Sequence, residues 1–176
     1  MLGEHMLKGK KYDKELRKRV KDGDVINWYV ISKYCPLSEK CMIEFQDKID
    51  WPYICANQKL SEDFMRKFQD KLHWDWICQY KKLSEDFIRE FQDEVNWDWV
   101  SYYQILSEDF IREFQNEIRW PYISENQLLS KKFIEEFIEE LNLDIIKERI
   151  ILGKKSKHLS LEFIESLMIM KKLTVN

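Results

Sequence analysis

Histidine and cysteine are the residues of this sequence best suited to metal binding or nucleophilic chemistry, and their spacing indicates neither. They stand at His5, His73, His158, Cys35, Cys41, Cys55 and Cys78. No histidine has the ligand spacing from a cysteine that zinc sites show. Cys55 and Cys78 occupy equivalent places one repeat apart; packed helices lie about 8–10 Å apart, whereas a disulfide needs Cα atoms within about 7 Å. We expect no metal site and free thiols, in keeping with a reducing cytoplasm.

Motifs for catalysis are missing as well. The sequence lacks a glycine-rich phosphate loop, a nucleophile elbow and a His-Glu-x-x-His helix. Its many acidic residues recur mostly at positions typical of the first turn of a helix, where they stabilise the helix dipole. We therefore predict that the chain is not an enzyme, with no catalytic residue and no cofactor.

Three arginines form a first candidate recognition group. Arg66, Arg89 and Arg112 recur at one spacing, and such a stripe could grip carboxylates or phosphates. The alternative is a solvated face with pairs along the helix, such as Glu85 with Arg89 and Glu108 with Arg112.

Three tyrosines form a second group. Tyr80, Tyr102 and Tyr103 share their repeat positions with polar residues such as Asn57 and Gln79, so we expect them to be at least partly exposed. Exposed aromatic side chains on a rigid scaffold are candidate binding anchors, and the alternative is ordinary surface placement. The remaining Trp and Tyr residues could stack on nucleic-acid bases, but their helical spacing beside Ile and Phe favours core packing.

A repeat of 23 residues positions these side chains. The sequence LSEDFIREFQDEV at 83–95 recurs as LSEDFIREFQNEI at 106–118. Tryptophan keeps the same step at Trp28, Trp51, Trp74, Trp97 and Trp120. Serine keeps it at Ser38, Ser61, Ser84, Ser107 and Ser130. A fixed period of this length is the signature of a repeat architecture.

Each repeat is predicted to form two short helices. The serine is a good N-cap for the first, whose Phe87, Ile88, Phe91 and Val95 fall on one face and are predicted to be core. The second begins near the tryptophan, after a position that holds Asn or Asp and, as a variant cap, His73. Small residues recur further along it, at Ser32, Cys55, Cys78, Ser101 and Ser124, and are predicted to let neighbouring backbones approach. A structural role is expected for Gln46, Gln69, Gln92 and Gln115.

A helix pair this short cannot bury its aromatic face alone, so successive pairs must stack. The predicted fold is all-α, an α-solenoid of stacked helix pairs within a single domain of residues 1–176. We expect a basic N-terminal cap helix at 7–22, the repeat array at 24–152, a loop at 153–159 and a C-terminal cap helix at 160–172. All four glycines lie outside the array.

The motif at 83–104, LSEDFIREFQDEV followed by NWDWVSYYQ, resembles the 23-residue repeats abundant in large nucleocytoplasmic DNA viruses such as mimivirus and marseillevirus relatives. The resemblance covers roughly residues 24–146. It implies a helical repeat fold and a viral origin, and it supplies no activity. The first repeat departs from the pattern at Cys41, and the fifth at Lys131, Lys132 and Ile138, as terminal repeats do.

Charge is uneven along the chain and bears on the class of partner. Residues 24–152 carry sixteen basic and twenty-six acidic side chains, a net charge of −10, which disfavours nucleic acid. The ends are basic. We therefore predict a scaffold or adaptor that binds another protein, host or viral, in the cytoplasm. The alternatives are nucleic-acid binding through the basic ends, and a self-assembling structural or virion protein that joins end to end through Ile150, Ile151 and Leu152.

No run of about 18 apolar residues and no apolar signal-peptide core is present, so neither membrane insertion nor secretion is expected. The chain is expected to be a monomer or to associate weakly with itself.

Overall fold

The computed structural model describes residues 10–153 and 159–174. Within these ranges the chain forms thirteen α-helices, with one 3₁₀ turn at Gln69–Lys71, and no strand. The all-α prediction is confirmed. His5, His158, residues 7–9 of the predicted N-terminal cap and residues 154–158 of the predicted loop lie outside the described residues.

The helices follow the repeat. We call those that start at the tryptophan position the tryptophan helices: α2 (Trp28–Tyr34), α4 (Trp51–Asn57), α6 (Trp74–Tyr80), α8 (Trp97–Tyr103), α10 (Trp120–Asn126) and α12 (Leu143–Ile151). Those that follow the repeated serine are the serine helices: α3 (Glu39–Glu44), α5 (Glu62–Lys67), α7 (Glu85–Glu90), α9 (Glu108–Glu113) and α11 (Lys131–Glu136). The flanking helices are α1 (Lys10–Lys21) and α13 (Leu161–Thr174).

Serine side chains start the serine helices as predicted. The Ser107 hydroxyl accepts a hydrogen bond from the Phe110 N–H at 3.2 Å, and the other four repeats do the same at 3.1–3.3 Å. This bond satisfies one of the N–H groups that the first turn of a helix leaves without a partner. Ser160 caps α13 in the same way, at 3.2 Å from the Phe163 N–H.

The tryptophan helices are capped less uniformly. The side chains of Asn27, Asn96 and Asn142 accept hydrogen bonds from first-turn N–H groups, as predicted. The prediction that His73 acts as a variant cap is wrong, because its side chain makes no capping hydrogen bond. Its ring instead lies against Trp76, with ring centroids 5.0 Å apart, so the ring contributes to packing.

The predicted core face is confirmed, although the helix beneath it is shorter than its apolar spacing suggests. Phe110 and Ile111 are fully buried, as are their counterparts Phe87 and Ile88. The helix α9 ends at Glu113, and the chain continues in turns that still bring Phe114 and Ile118 into the core. Trp97 packs on this core, with its ring centroid 4.9 Å from that of Phe114.

The chain divides within α7 into two compact units, residues 1–87 and 88–176. In the first, α2 packs on α4 and α4 on α6. In the second, α8 packs on α10, α10 on α12, and α12 on α13. Helices that are neighbours in the repeat order therefore stack on one another, which is the arrangement of a helical repeat solenoid.

Glycines with positive φ mark where the regular array begins and ends. Gly23 has a φ of 81° and follows α1, where the Asp24 N–H donates to the Arg19 carbonyl at 3.0 Å. Gly153 has a φ of 65° and follows α12. Left-handed backbone is available to glycine without steric cost, and it turns the chain out of a helix.

The helix α1 lies within the predicted 7–22, and α13 extends two residues beyond the predicted 172.

Candidate interaction surface

Each helix pair has an inner side that holds the array together. In three repeats this side contains a buried glutamine that sequence reasoning did not identify: Gln58, Gln104 or Gln127. The Gln58 amide nitrogen donates to the carbonyls of Ser32 at 2.9 Å and Cys35 at 2.8 Å, and its oxygen accepts from the Leu37 N–H at 3.0 Å. Gln127, three repeats later in the second unit, makes the same three hydrogen bonds. A single buried amide thus satisfies the carbonyl end of the preceding tryptophan helix and the turn after it.

A cation stands in for this glutamine in two other repeats. The Lys81 ammonium donates to the carbonyls of Ala56 at 3.2 Å and Gln58 at 2.6 Å. The Arg149 guanidinium, one position off the glutamine register, donates to two carbonyls of the α10 repeat at 2.6 and 2.9 Å. Burial lowers the pKa of both groups, because a low-dielectric environment disfavours the charged form. The signal in the sequence was the recurrence of Gln58, Gln104 and Gln127 in one repeat position.

The column of small residues also makes hydrogen bonds. The Ser101 hydroxyl donates to the Trp97 carbonyl at 2.7 Å and accepts from the Arg119 N–H at 2.9 Å. Ser124 repeats both bonds at 2.9 Å. Cys55 takes the acceptor role through its sulfur, 3.4 Å from the His73 N–H. Small size was predicted from the sequence; the hydroxyl link to the next tryptophan helix was not.

Acidic residues in the first turn of the serine helices contact the serine cap of the next repeat. The Glu108 carboxylate accepts from the Ser130 N–H at 2.5 Å and from its hydroxyl at 3.1 Å. In the N-terminal cap helix α1, Asp13 plays the same part for Ser38. These contacts give the repeated acidic residues a structural role, and they show how α1 closes the start of the array.

The candidate arginines are engaged by carboxylates. Arg112 binds Glu136 of the next repeat through Nε and a terminal nitrogen at 2.9–3.1 Å, and Asp109 at 2.9 Å. Its guanidinium carbon also lies 4.9 Å from the ring centroid of Phe133. Arg89 pairs with Glu113 at 2.8 Å. The hydrogen bond from Arg112 lowers the pKa of Glu136.

Arg66 completes the stripe in the first unit. It lies 3.2 Å from Asp63 and 3.6 Å from Glu62, and its guanidinium carbon is 5.2 Å from the ring centroid of Phe87. Each of the three arginines is partly exposed, and as a group they form pairs both along their helices and between repeats of the same unit. Their role in partner binding stays a prediction.

The candidate tyrosines lie on the outer side of the tryptophan helices. Tyr80 and Tyr103 expose 55% and 42% of their surface, and Tyr102 is half-buried. In the second unit Tyr102 contacts two rings edge-on, Tyr103 at 4.7 Å and Tyr122 at 5.2 Å between centroids. Trp99 lies 5.6 Å from Tyr103. The structure thus groups Tyr102 and Tyr103 into one aromatic cluster, whereas Tyr80 belongs to the first unit.

A comparable cluster in the first unit contains a lysine that sequence reasoning missed. The Lys33 ammonium lies 5.1–5.4 Å from the ring centroids of Tyr29, Tyr34 and Tyr53 and donates to the Tyr29 hydroxyl at 3.1 Å. The hydrogen bonds to Tyr29 and Tyr34 raise the pKa of Lys33. Lys33 is four residues after Tyr29 on α2, and that helical spacing was the available signal.

Residues 10–153 and 159–174 contain no clustered metal ligands, no disulfide and no membrane-spanning helix. No group of three histidine, cysteine or acidic side chains there is arranged to hold a metal ion. The four cysteines, all in this part of the chain, form no disulfide. None of the described helices has the length and apolar character needed to cross a membrane.

The chain was also compared with known proteins. No protein-family model, no curated protein and no solved structure matches it. The resemblance to viral 23-residue repeats therefore stays a prediction from the motif itself.

Proposed function

We propose that this chain is a non-enzymatic scaffold that binds another protein through the outer side of its tryptophan helices. One observation carries the proposal, namely that variation between repeats coincides with exposure. The positions equivalent to Tyr102 hold Lys33, Ala56, Gln79, Tyr102 and Glu125, and those equivalent to Tyr103 hold Tyr34, Asn57, Tyr80, Tyr103 and Asn126. All of them are exposed or half-buried, whereas the neighbouring inner positions are buried and nearly constant.

This pattern suits recognition because the inner side fixes the backbone while the outer side remains free to vary. Tyrosine supplies a large contact area with few rotatable bonds, and it is enriched at the energetic centres of protein interfaces. The arginine stripe supports the proposal less strongly, since its guanidinium groups are already held by carboxylates of the array.

The test is a pull-down of the tagged chain, with and without nuclease, from lysate of a host cell of large nucleocytoplasmic DNA viruses. A triple variant, Tyr80→Ala with Tyr102→Ala and Tyr103→Ala, is run beside the unmodified chain. The matched control is Gln115→Ala, an exposed residue of the turn that follows the serine helix α9. We expect a stoichiometric, nuclease-resistant protein with the unmodified chain and the control, and its loss with the triple variant.

Two results would contradict the proposal. Recovery that vanishes with nuclease would favour nucleic-acid binding through the basic ends. Equal recovery by the triple variant, with its melting temperature unchanged, would place the partner on another face.

Self-assembly is a second candidate because apolar residues at the end of α12 are exposed. Ile151 and Leu152 expose 61% and 56% of their surface. An average mass that rises with concentration in light scattering, and no longer does so in Ile151→Ser with Leu152→Ser, would favour this function, which is that of a structural or virion component. A constant monomer mass would contradict it.

A further inference from the structure

The tyrosine cluster of α2 and α4 shows what kind of group such a cluster holds. Lys33 reaches over three tyrosine rings, each within 5.4 Å of its ammonium. Tyr29 and Tyr53 meet edge-on there, with centroids 4.8 Å apart. The Tyr29 hydroxyl accepts a hydrogen bond from this ammonium at 3.1 Å, and the surrounding rings add cation–π attraction. In the first unit the cation belongs to the chain itself.

Three repeats later the same positions form a cluster in which the lysine is replaced. Tyr34 corresponds to Tyr103 and Tyr53 to Tyr122, so both rings are retained. Lys33 corresponds to Tyr102, which makes an edge-on contact with Tyr122 at 5.2 Å, much like that of the first unit. The cluster of α8 and α10, which we call the tyrosine face, therefore comprises Trp99, Tyr102, Tyr103 and Tyr122.

Both helices of the tyrosine face carry a carboxylate, and the one on α8 is already paired with a cation. Asp98 on α8 stands where the first unit has Tyr29, and its carboxylate holds Arg119 at 2.5 Å. Glu125 lies on α10 three residues after Tyr122, at the place that Ala56 holds in the first unit, and it is exposed. Residues three apart in a helix lie on the same face. The first unit thus has its own cation among the rings, whereas the tyrosine face has a carboxylate on the helix face of Tyr122.

We propose that the tyrosine face receives a lysine side chain from a basic segment of a partner protein, against the rings of Tyr103 and Tyr122, whose counterparts Lys33 contacts in the first unit. This inference rests on the proposed function and names the chemistry of the partner. The net charge of −10 over residues 24–152 attracts such a segment, and the rings with Glu125 determine where its ammonium binds.

The test measures fluorescence anisotropy of a short labelled peptide in which lysine alternates with glycine and serine. The comparison peptide carries glutamate in place of lysine. We expect the lysine peptide to bind about one site per chain, more weakly as salt rises, and the glutamate peptide not to bind. Equal binding of both peptides, or no binding of the lysine peptide, overturns the inference.

Two opposite variants locate the site. Tyr102→Ala with Tyr103→Asn removes two rings and should weaken peptide binding roughly tenfold. The array already holds Ala56 and Asn57 at the equivalent positions, so the fold accommodates these residues. Unchanged affinity in a variant that keeps its helical melting curve overturns the inference.

Lys33→Ala does the reverse, because it empties the cluster of Tyr29, Tyr34 and Tyr53. The stoichiometry should rise to about two peptides per chain. A stoichiometry that stays at one overturns the idea that these clusters recognise an ammonium group. If the pull-down recovers a partner but the chain does not bind the peptide, only this inference is refuted and the scaffold function stands. If the chain binds the peptide but no partner is recovered, the scaffold function is refuted instead.

Discussion

Neighbouring residues of one helix obey different rules on the inner and outer sides of this array. In α8, Val100 and Ser101 are fully buried, and α10 replaces them with the closely similar Ile123 and Ser124, also fully buried. The next residue of α8 is Tyr102, and its counterpart in α10 is a glutamate. A small residue recurs inside because its hydroxyl or sulfur accepts a hydrogen bond from a backbone N–H, whereas the outer residue contacts other side chains. The buried inner residues therefore stabilise the fold, and the variable outer residues can differ between repeats.

The largest effect on stability is expected when a buried ring is removed from the inner side. Phe110→Ala should lower the free energy of unfolding by about 3–5 kcal/mol, because Phe110 is fully buried and a large cavity would remain. Urea denaturation followed by circular dichroism measures the change. A loss below about 1 kcal/mol would mean that the inner side tolerates substitution as readily as the outer one.

The next test removes a buried amide while keeping its size. Gln127→Met leaves two carbonyls and the Leu106 N–H without their partner, and should cost about 2–3 kcal/mol. The matched control is Gln115→Met, an exposed glutamine in the turn that follows α9, which should change stability by less than about 0.5 kcal/mol. Equal effects would show that the buried hydrogen bonds do not distinguish the two sides.

A third test repairs an inner position. The Lys81 side chain has no acceptor atom, whereas a glutamine there could accept a hydrogen bond from a backbone N–H of the preceding turn, as Gln58 does. Lys81→Gln also removes a desolvated cation. We expect the variant to be more stable than the unmodified chain by about 1 kcal/mol near neutral pH. Lys82→Gln, on an exposed neighbour, is the control and should have little effect.

The advantage of Lys81→Gln should also depend on pH. Burial holds the pKa of Lys81 below its ordinary 10.5, so the unfolded chain binds more protons between the lowered pKa and 10.5. The stability of the unmodified chain therefore gains from deprotonation as pH rises through that window, and the gap to the variant narrows. A gap that widens with pH would contradict the burial of this ammonium.

The smallest effect is expected on the outer side. Tyr80→Asn should change the free energy of unfolding by less than about 0.5 kcal/mol, because Tyr80 is 55% exposed and its counterparts in two repeats are asparagines. Thermal denaturation provides the measurement. A loss comparable to that of Phe110→Ala would assign Tyr80 to the core and remove it from the proposed surface.

Sequence reasoning was most successful where one residue type has one local role. Serine at a helix start and the Phe–Ile pair after it predict a cap and a core face from neighbours in the chain alone, and both are observed. It was less successful with His73, because position suggested a cap while the ring packs on Trp76. Exposure of Tyr80 and Tyr103 followed from the polar residues that replace them, and the binding role of these side chains stays a prediction.

The sequence by itself determined the period, the helix pairs and the division between constant and variable columns, since these depend on spacing within a few residues. Only the tertiary structure decided which side chains meet across repeats. Gln58 bonds to carbonyls 23 and 26 residues earlier, Arg112 binds Glu136, and Lys33 reaches the ring of Tyr53 on the next tryptophan helix. Such contacts depend on the angle and separation of packed helices, which are set by the summed packing of many side chains rather than by local spacing in the chain.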